Sequence, residues 1–478
     1  MASEIKFATV VEAAVGCAAT ATLMYFGSGL DPVWPLMWVA PLPVLWFATR
    51  HGGRSAALVA GIASLAGAST YWGYFRVLGL PFGAWLSGFS VAAVIFALAV
   101  ALFRALLLRG RVTSAVLAFP AVWVTFEYAR NLLWPHGSGG SLAYTQLHFL
   151  PFLQLASVTG PWGMVFVLFL FPAGLVAAWH LRKEAREATR VLFFTVGIVG
   201  AVLICGAIRL AVPQPGPGVR VALAASDAEG NEGVAAAGAN TQTLVQDYVS
   251  TLRTLGGDGL QNARAIVLPE KLGHVTDAEV AEVDAILQKL ADETGATVVG
   301  GFDHQAGTVA YNQARVYQRG AAVRSYDKRH LLPPFELKFT PGKELVTLQH
   351  SEDDWGVAIC KDMDFSDPSR QYGRAGAGLM LVPGWDFNVD RAWHGHIAIM
   401  RGVEDGFSVV RAAKDGFLTV SNNRGKIVDE MRSDAAPFAV MIATVPAGHS
   451  WTLFQVLGDW FGWVAIALLI FAVARLRT

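Results

Sequence analysis

Cysteine and charge are both scarce in this chain of 478 residues. Only three cysteines occur, Cys17, Cys205 and Cys360, and they form no CxxC pair, which excludes a disulfide framework and a cysteine zinc site. Charged residues make up 15% of the chain, against about 25% in soluble domains, whereas hydrophobic residues reach 54%. The chain is therefore too apolar to be soluble along its whole length.

A surplus of positive charge is also missing. The formal net charge is zero, which argues against nucleic acid as a partner. His394 and His396 fall in a predicted helix, where residues two apart point in different directions, so no metal site is expected there. The glycine-rich stretch "HGSGGS" at 136–141 lacks the lysine of a phosphate-binding loop, and no cofactor is expected.

Long apolar runs dominate the first 212 residues. Crossing a bilayer takes about 20 mostly apolar residues, and seven such stretches precede residue 212, with an eighth near the C-terminus. They are residues 7–26, 33–49, 55–75, 84–108, 112–133, 161–180, 191–212 and 453–474. The sequence thus predicts a polytopic α-helical membrane bundle of about eight spans.

The character of the sequence changes at "VPQPGPG", residues 212–218, a Pro/Gly-rich hinge. Beyond it, charges appear and short β-branched runs alternate with polar helical patterns. We therefore predict a transmembrane bundle of about seven helices over 1–212, an extramembrane domain over 213–448 and a C-terminal transmembrane helix over 449–478.

Lysine and arginine indicate how the chain is oriented. With the N-terminus in the cytoplasm, the basic residues concentrate in the loops after every second span, as cytoplasmic loops require. These residues are Arg50, Arg54, Arg109, Arg111, Arg182, Lys183, Arg186, Arg190, Arg475 and Arg477. The opposite loops hold little more than Arg76 and Arg130. This alternation predicts that residues 213–448 lie outside the cytoplasm.

The extramembrane part has the pattern of a layered α/β domain. Predicted helices cover residues 277–295 and 391–406, and short apolar runs between such stretches predict buried strands. The predicted strands are residues 219–225, 263–269, 296–302, 314–318, 355–360, 378–383, 407–413 and 416–422.

Side chains suited to catalysis follow several of these apolar runs, at the sheet edge where α/β proteins bind ligands. Glu270 ends "IVLPE", Cys360 ends "WGVAIC", and "YDKRHLLPPFE" carries Lys328 and Glu336. Taken singly, each has an ordinary explanation: a cysteine that packs in the core, a loop or capping acid, a surface lysine. Their order, spacing and neighbours together favour a catalytic site.

In this order and context, Glu270, Lys328 and Cys360 resemble the Glu-Lys-Cys triad of the nitrilase, or carbon–nitrogen hydrolase, superfamily. The segments that carry the resemblance are "LPEK", "YDKRHLLPPFE", "VAICKDMDF", "LVPGWDF" and "HIAIMRGVEDGFSVVRAAKDGFLTVSNNRG". They cover about residues 219–445. With the predicted spans on either side, the whole chain resembles the apolipoprotein N-acyltransferase family.

This resemblance implies an α-β-β-α sandwich outside the cytoplasmic (inner) membrane of a bacterium, on its periplasmic side. The implied activity moves an acyl chain from a phospholipid, through a Cys360 thioester, to the N-terminal amine of a diacylglyceryl-cysteine lipoprotein. By position, Cys360 is the nucleophile, Glu270 the proton acceptor and Lys328 the charge stabiliser. Glu336 matches a second family glutamate.

Some positions depart from the family pattern. An aromatic residue and a glutamate usually follow the cysteine, where this chain has Lys361 and Asp362. We assign these two supporting roles, the Lys361 backbone N–H as an oxyanion donor and Asp362 in orienting Lys328 or the amine. The first strand ends in "AASDAEGNEG" (224–233) instead of a turn with Gln and Asn, and "RAAKDG" (411–416) stands where the family has a "RATN"-like stretch.

These departures leave the acyl acceptor open. An acyltransferase of the same architecture with another amine acceptor is one alternative. A membrane-anchored amidase or nitrilase that uses water is a second, and a scaffold that only binds is a third.

Overall fold

The computed structural model describes residues 2–227, 240–350 and 354–477. Residues 228–233 of the "AASDAEGNEG" stretch lie outside this described part. The chain divides into two compact units. Unit 1 contains Met1–Leu133, Gly140–Ala211 and Asp459–Thr478, and unit 2 contains Trp134–Gly139 and Val212–Gly458. Unit 2 thus continues past residue 448, where we expected the extramembrane domain to end.

Unit 1 is helical in the part of the chain that the structure describes. Its helices are α1 (Ala2–Gly27), α2 (Leu42–Arg50), α3 (Gly53–Gly67), α4 (Trp72–Val77), α5 (Phe82–Leu107), α6 (Val112–Leu133), α7 (Leu150–Leu153), α8 (Ala156–His180), α9 (Ala185–Ala211) and a C-terminal helix (Trp460–Ala474). Short 3-10 helices cover Trp34–Trp38, Ala68–Tyr71 and Leu142–Gln146. Helix α6 packs against α5, α8 and the C-terminal helix, and α8 packs against α2, α6, α9 and the C-terminal helix, so these two helices link the others of the bundle.

Among the described residues, five helices are long and apolar enough to cross a membrane. They are Ala8–Gly27 within α1, and the helices α5, α6, α8 and α9. The C-terminal helix is equally apolar but has only 15 residues. Exposed apolar side chains line α5 and α9, as expected of helices that face lipid. The predicted helical membrane bundle is confirmed, and five of its predicted spans are single long helices.

Three of the eight predicted spans are not single continuous helices. Residues 33–49 form the 3-10 helix Trp34–Trp38 and then α2, because Pro41 and Pro43 lack the backbone N–H of a continuous helix and restrict the residues before them. With 9 residues, α2 is about 14 Å long, well short of a bilayer core of about 30 Å.

Two further predicted spans are also interrupted. Residues 55–75 form α3, the 3-10 helix Ala68–Tyr71 and α4. The stretch 453–474 is broken at Gly458, whose φ of +62° ends a short helix of unit 2 before the C-terminal helix begins.

Unit 2 contains two β-sheets. Its strands are β1 (Gly218–Ala225), β2 (Ala265–Val267), β3 (His274–Thr276), β4 (Thr297–Ala306), β5 (Val309–Tyr317), β6 (Arg324–Asp327), β7 (Thr347–Leu348), β8 (Asp354–Val357), β9 (Ala377–Trp385), β10 (Ser408–Lys414), β11 (Phe417–Ser421), β12 (Ile427–Arg432) and β13 (Ala439–Pro446). Its helices are α10 (Asn240–Gln261), α11 (Val280–Thr294), α12 (Ser366–Arg374), α13 (Trp393–Asp405) and α14 (Leu453–Leu457). Every strand and helix predicted for this region has an observed counterpart.

Each sheet has parallel strands at its centre. The first sheet has the order β13-β1-β2-β4-β5-β6, with β3 beside β4, and β1, β2 and β4 run parallel. The second has the order β12-β11-β10-β9-β8-β7, and β8, β9 and β10 run parallel. The carboxyl ends of these parallel strands are where ligand-binding side chains are expected.

Alternating side chains build the layers of unit 2. In β1, Val221 and Leu223 pack in the core between the two sheets, whereas Ala222 and Ala224 face α10 and α11. Helices α12 and α13 cover the outer face of the second sheet. This arrangement is the predicted α-β-β-α sandwich.

Candidate active site

The three predicted catalytic side chains share one small cavity in unit 2. Glu270 follows β2, Lys328 follows β6, and Cys360 begins a 3-10 helix, Cys360–Asp364, after β8. All three are buried. The cavity is also lined by Lys271, Leu332, Phe335, Glu336, Lys361, Trp385, Asp386, Phe387 and His394. Strand ends from both sheets therefore bring together residues that are far apart in sequence.

Lys328 is held between two carboxylates. Its Nζ lies 2.9 Å from Oε1 of Glu270 and 2.9 Å from Oε2 of Glu336. Asn312 on β5 donates from its side-chain amide to Glu270 at 2.5 Å and to Glu336 at 2.8 Å. Lys271 pairs with Glu336 at 2.8 Å. Two carboxylates and two ammonium groups thus form one buried network in which the negative and positive charges balance.

The charge states in this network follow from its geometry. Burial opposes the charge on Lys328, but Glu270 and Glu336 raise its pKa well above the ordinary value, so it stays cationic. Burial likewise opposes the charge on Glu336, yet Lys328 and Lys271 lower its pKa. The Glu336 carboxylate is therefore ionised at neutral pH and pairs with the charged Lys328.

The nucleophile candidate Cys360 has a strained backbone. Its φ is +40°, in the left-handed region that residues other than glycine rarely occupy, and such a conformation costs about 1–3 kcal/mol. The preceding strand β8 lies in the core between the two sheets, and the turn follows its end. The Sγ atom contacts the carbonyl oxygen of Trp385 at 3.6 Å and faces the cavity.

The Cys360 thiol is protonated in the resting site. Burial, and then the Glu270 carboxylate, raise its pKa to about 11, although Lys328 and Arg411 act in the opposite direction. A neutral thiol is a poor nucleophile. Attack by Cys360 therefore needs a base that takes the thiol proton during the reaction. Glu270 is a carboxylate in the same cavity and is suited to this role.

Asp362 does not line the cavity, although its sequence position suggested a supporting role. Its Oδ1 accepts from the backbone N–H groups of Arg329 and His330 at 3.1 and 2.8 Å. Its Oδ2 accepts from the hydroxyl of Tyr326 at 2.8 Å. Asp362 thus joins the turn of Cys360 to the segment that carries Lys328.

Lys361 lines the cavity beside Cys360. Its Nζ donates to the carbonyl oxygen of Pro135 at 2.7 Å and lies 2.9 Å from Nδ1 of His136. Burial, and then Lys361 itself, lower the pKa of His136 to about 4, so this imidazole is neutral and accepts the hydrogen bond. The ammonium group of Lys361 is therefore held by a segment distant in sequence.

His394 adds a further positive charge to the cavity wall. Its ring nitrogens lie 3.3 Å from Asp364 and 3.4 Å from Asp390. Burial disfavours its charge, but these carboxylates raise its pKa well above the ordinary value. Within the described residues, no cluster of three or more histidine, cysteine or acidic residues is arranged to hold a metal ion.

Close packing sets the position of Glu270. A Cβ atom on Gly301 would lie 2.6 Å from Cα of Glu270, a distance that real Cβ atoms do not adopt. Lys271, the next residue, has a φ of +47°. The glycine on β4 therefore lets the Glu270 turn lie directly against the sheet.

Sequence reasoning missed several site residues. Lys271 directly follows Glu270 in "LPEK", but nothing in that motif shows that it reaches Glu336. Asn312 precedes the predicted strand at 314–318 and has no motif of its own. Arg411 and Asp386 fall in the quoted segments "RAAKDG" and "LVPGWDF", yet only the structure shows that they meet beside Cys360.

Comparison with known proteins agrees with this architecture. The family model of the apolipoprotein N-acyltransferase N-terminal domain matches residues 20–174, and that of carbon-nitrogen hydrolase matches residues 260–433. An apolipoprotein N-acyltransferase of Geobacter metallireducens is 27% identical over 91% of this chain and 89% of its own. One of Bradyrhizobium diazoefficiens is 27% identical over 84% of this chain and 79% of its own.

Solved structures similar to this chain cover about half of it. An amidase from Nesterenkonia sp. has a TM-score of 0.40 and 20% identity over 49% of this chain and 92% of its own. Nit3 of Saccharomyces cerevisiae, a nitrilase-superfamily member, has a TM-score of 0.41 and 19% identity over 48% of this chain and 90% of its own.

The two matched models follow each other along the chain in the order of the two units. The curated relatives match over most of their own length, so the similarity extends to both parts. The apolar helices of unit 1 and these relatives together make the chain a multi-pass bacterial membrane protein. The chain is thus similar to apolipoprotein N-acyltransferases over most of its length, and its carbon–nitrogen hydrolase match at residues 260–433 contains Glu270, Lys328 and Cys360.

Proposed function

We propose that this protein is an N-acyltransferase that acylates the N-terminal amine of a diacylated lipoprotein. The acyl donor is a membrane phospholipid, and the acyl group passes through a thioester on Cys360. One observation carries the proposal: a thiol, a carboxylate and an ammonium group share one small cavity. The names of the relatives that match most of the chain supply the substrate class.

In the first half-reaction, Glu270 takes the proton of the Cys360 thiol as the sulfur attacks the ester carbonyl. The charge that develops on the carbonyl oxygen is stabilised by Lys328, which Glu336 keeps cationic. The carbon–oxygen bond of the ester then breaks, and the lysophospholipid oxygen takes the proton back from Glu270. The acyl group remains on the sulfur as a thioester.

In the second half-reaction, the lipoprotein amine attacks the thioester carbonyl. Glu270 accepts the proton that the amine loses, the carbon–sulfur bond breaks, and the thiol is regenerated with that proton. The amide product leaves. Because the enzyme carries the acyl group between two substrates, the kinetics are ping-pong.

The mouth of the cavity suits a lipid substrate. Phe335, which is 39% exposed, packs against Phe387 with the rings tilted by 49° and their centroids 5.4 Å apart, and both line the cavity. The free volume is about 30 Å³, room for one or two water molecules, so an acyl ester enters only when these side chains move apart. These two phenyl rings would also limit the access of water to the thioester.

The catalytic domain is proposed to lie on the periplasmic side of the inner membrane. The support is the distribution of basic residues, which favours a cytoplasmic position for the loops that contain Arg109 and Arg182. A cysteine accessibility scan tests this orientation. A single cysteine placed at exposed Glu344 should react with a membrane-impermeant maleimide in intact cells, and one at Arg186 should not.

The central experiment looks for the covalent intermediate. The purified full-length protein is incubated with labelled phospholipid and analysed by mass spectrometry for an acyl adduct on Cys360. We expect an adduct that persists in buffer and discharges when a diacylated lipopeptide is added. Discharge to water instead would identify a hydrolase, and discharge to another amine would change the acceptor.

The other two cysteines provide matched controls. Cys360→Ala should abolish the adduct, whereas Cys17→Ala and Cys205→Ala should leave it unchanged. Absence of any adduct on a folded wild-type protein would contradict the proposed reaction and favour a role in binding only.

A further inference from the structure

A buried arginine lies directly beside the sulfur of Cys360. Arg411 projects from β10, and its Nη2 is 3.7 Å from the Cys360 Sγ. The same guanidinium forms a two-pronged ion pair with Asp386, which follows β9, at 2.6 and 2.8 Å. Arg411 and Asp386 are both almost fully buried.

The local packing is built around this guanidinium. A Cβ atom on Gly384 would lie 2.9 Å from Nη2 of Arg411, so the group lies flat against a position where only glycine fits. A Cβ atom on Gly416 would lie 2.2 Å from a carboxylate oxygen of Asp386. Two glycines on adjacent chain segments therefore make room for the pair.

Stability alone does not account for the pair. Replacing a buried ion pair by apolar residues of similar volume is often neutral or stabilising, because burying two charges is costly. The Nε of Arg411 is also buried and has no hydrogen-bond partner among the residues that the structure describes. Arg411 thus leaves one donor unused while another points at the reactive sulfur. This geometry indicates that the guanidinium acts on the sulfur.

We propose that Arg411 is a further catalytic residue, which stabilises the thiolate of Cys360 while Asp386 orients it and moderates its charge. In addition to Lys328, it supplies a second cation at the reacting atom. Among the charged groups around the sulfur, Glu270 and Asp386 disfavour the thiolate, whereas Lys328 and Arg411 favour it. Lys361, in the same cavity, also interacts electrostatically with Cys360.

This role matters most when the thioester is discharged. As the amine nitrogen bonds to the carbonyl carbon, the carbon–sulfur bond breaks and its electron pair goes to Sγ. A thiolate of lower pKa leaves faster, and a nearby cation lowers that pKa. The proton from the amine passes to Glu270 and from there to the sulfur. This part of the inference rests on the proposed function.

The first test needs no substrate. In a Cys17→Ser and Cys205→Ser background, the rate of Cys360 alkylation by iodoacetamide is measured from pH 7 to 10. We expect Arg411→Met to lower the rate at pH 8.5 by about 3–10-fold, because less thiolate is present. Asp386→Asn should raise the rate by a similar factor, because Arg411 then acts on the sulfur unopposed.

The opposite signs distinguish a role at the sulfur from a role in folding. Arg401→Met is the matched control, since Arg401 is equally buried and pairs with Glu404 at 2.7 Å on α13. It should lower the thermal midpoint without changing the pH profile of alkylation. If Arg411→Met does not fold, Asp386→Asn alone decides. An unchanged or slower alkylation rate in Asp386→Asn would overturn the proposal.

The second test uses labelled phospholipid and the diacylated lipopeptide. Arg411→Met should discharge its acyl-enzyme to the lipopeptide about 3–10-fold more slowly than the wild type, so the adduct accumulates. Equal discharge rates would contradict the role in the second half-reaction. If the wild-type protein forms no adduct, the proposed function fails, and the alkylation test still judges Arg411.

Discussion

The carboxylate of Asp362 accepts a hydrogen bond of 2.8 Å from the backbone N–H of His330. It thereby joins the cysteine turn, which belongs to one sheet, to the lysine segment, which belongs to the other. Because Asp362 also accepts from Ile359 N–H and the Tyr326 hydroxyl, it fixes the distance between the sulfur and the ammonium group. We propose that its role is to position these two groups.

Asp362→Asn should therefore separate activity from overall folding. The amide cannot accept on both sides, so the Ile359 N–H loses its partner, at a loss of about 1–3 kcal/mol in unfolding free energy. We expect thioester formation to fall at least tenfold. The control is Tyr326→Phe, which removes only the hydroxyl bond and should lower stability by about 1 kcal/mol. Equal activity in both variants would contradict the positioning role.

Gly301 and its neighbour Gly300 form a matched pair for testing the placement of Glu270. A Cβ atom at Gly301 would collide with the Glu270 backbone, whereas one at Gly300 would meet its nearest atom at an ordinary 3.4 Å. Gly301→Ala should displace the general base and slow thioester formation by about 100-fold. Gly300→Ala should remain close to wild type, as measured by single-turnover acylation. Similar rates for the two variants would argue against Glu270 as the base.

Glu336→Gln removes the anion shared by Lys328 and Lys271. We expect thioester formation to fall by about 100-fold, since Lys328 then lacks the partner that holds it at the oxyanion. Stability should fall by about 3–5 kcal/mol, the usual effect of breaking a buried pair.

The loss of stability in Glu336→Gln should depend on pH, and the lowered pKa of Glu336 fixes the direction. Because the folded pKa of Glu336 is lowered, its stabilisation is present above the unfolded pKa of about 4.3 and is lost as the pH falls below that value. The thermal midpoints of wild type and Glu336→Gln should therefore differ at pH 7 and converge in strong acid. Glu344→Gln, at an exposed position, should show no such difference.

Lys414 gives a second prediction on pH and stability. Burial, and then the charge of Lys271, lower the pKa of Lys414 to about 7. The unfolded chain, with a lysine pKa of about 10.4, binds more protons between these values, so stability rises with pH across that window. Lys414→Met removes this slope. Relative to wild type, it should gain about 3 kcal/mol more at pH 7 than at pH 10.

Thermal unfolding at a series of pH values measures the effect. Lys289→Met is the control, because Lys289 has a side chain that is 72% exposed and should not alter the slope. An identical slope in wild type and Lys414→Met would show that Lys414 is not buried as a partly neutral amine.

Much of the fold could be predicted from local patterns. Continuous apolar runs identified the long helices α5, α6 and α9, and short ones identified strands such as β1 and β9. The predicted spans differ from the observed helices where a proline or glycine interrupts an apolar stretch. Pro41 and Pro43 interrupt an apolar stretch that hydropathy alone assigns to one span, and Gly458 separates α14 from the C-terminal helix.

The reactive side chains at the strand ends could also be predicted from the sequence. Glu270, Lys328 and Cys360 each follow an apolar run, and a run of buried residues that stops at a charged or reactive side chain marks a sheet edge. What sequence spacing does not contain is the pairing of strands. Arg411 reaches the sulfur because β10 lies beside β9 and β9 beside β8, an order set by packing between distant segments.

The sequence by itself determined the apolar helices, the α/β pattern and the identity of the three reactive groups, because each depends on residues close together along the chain. Only the tertiary structure decided the left-handed turn at Cys360, the network through Asn312 and Lys271, and the arginine beside the sulfur. Those features depend on contacts between segments remote in sequence. In such buried surroundings, the nearest charged neighbours determine the charge state of each group.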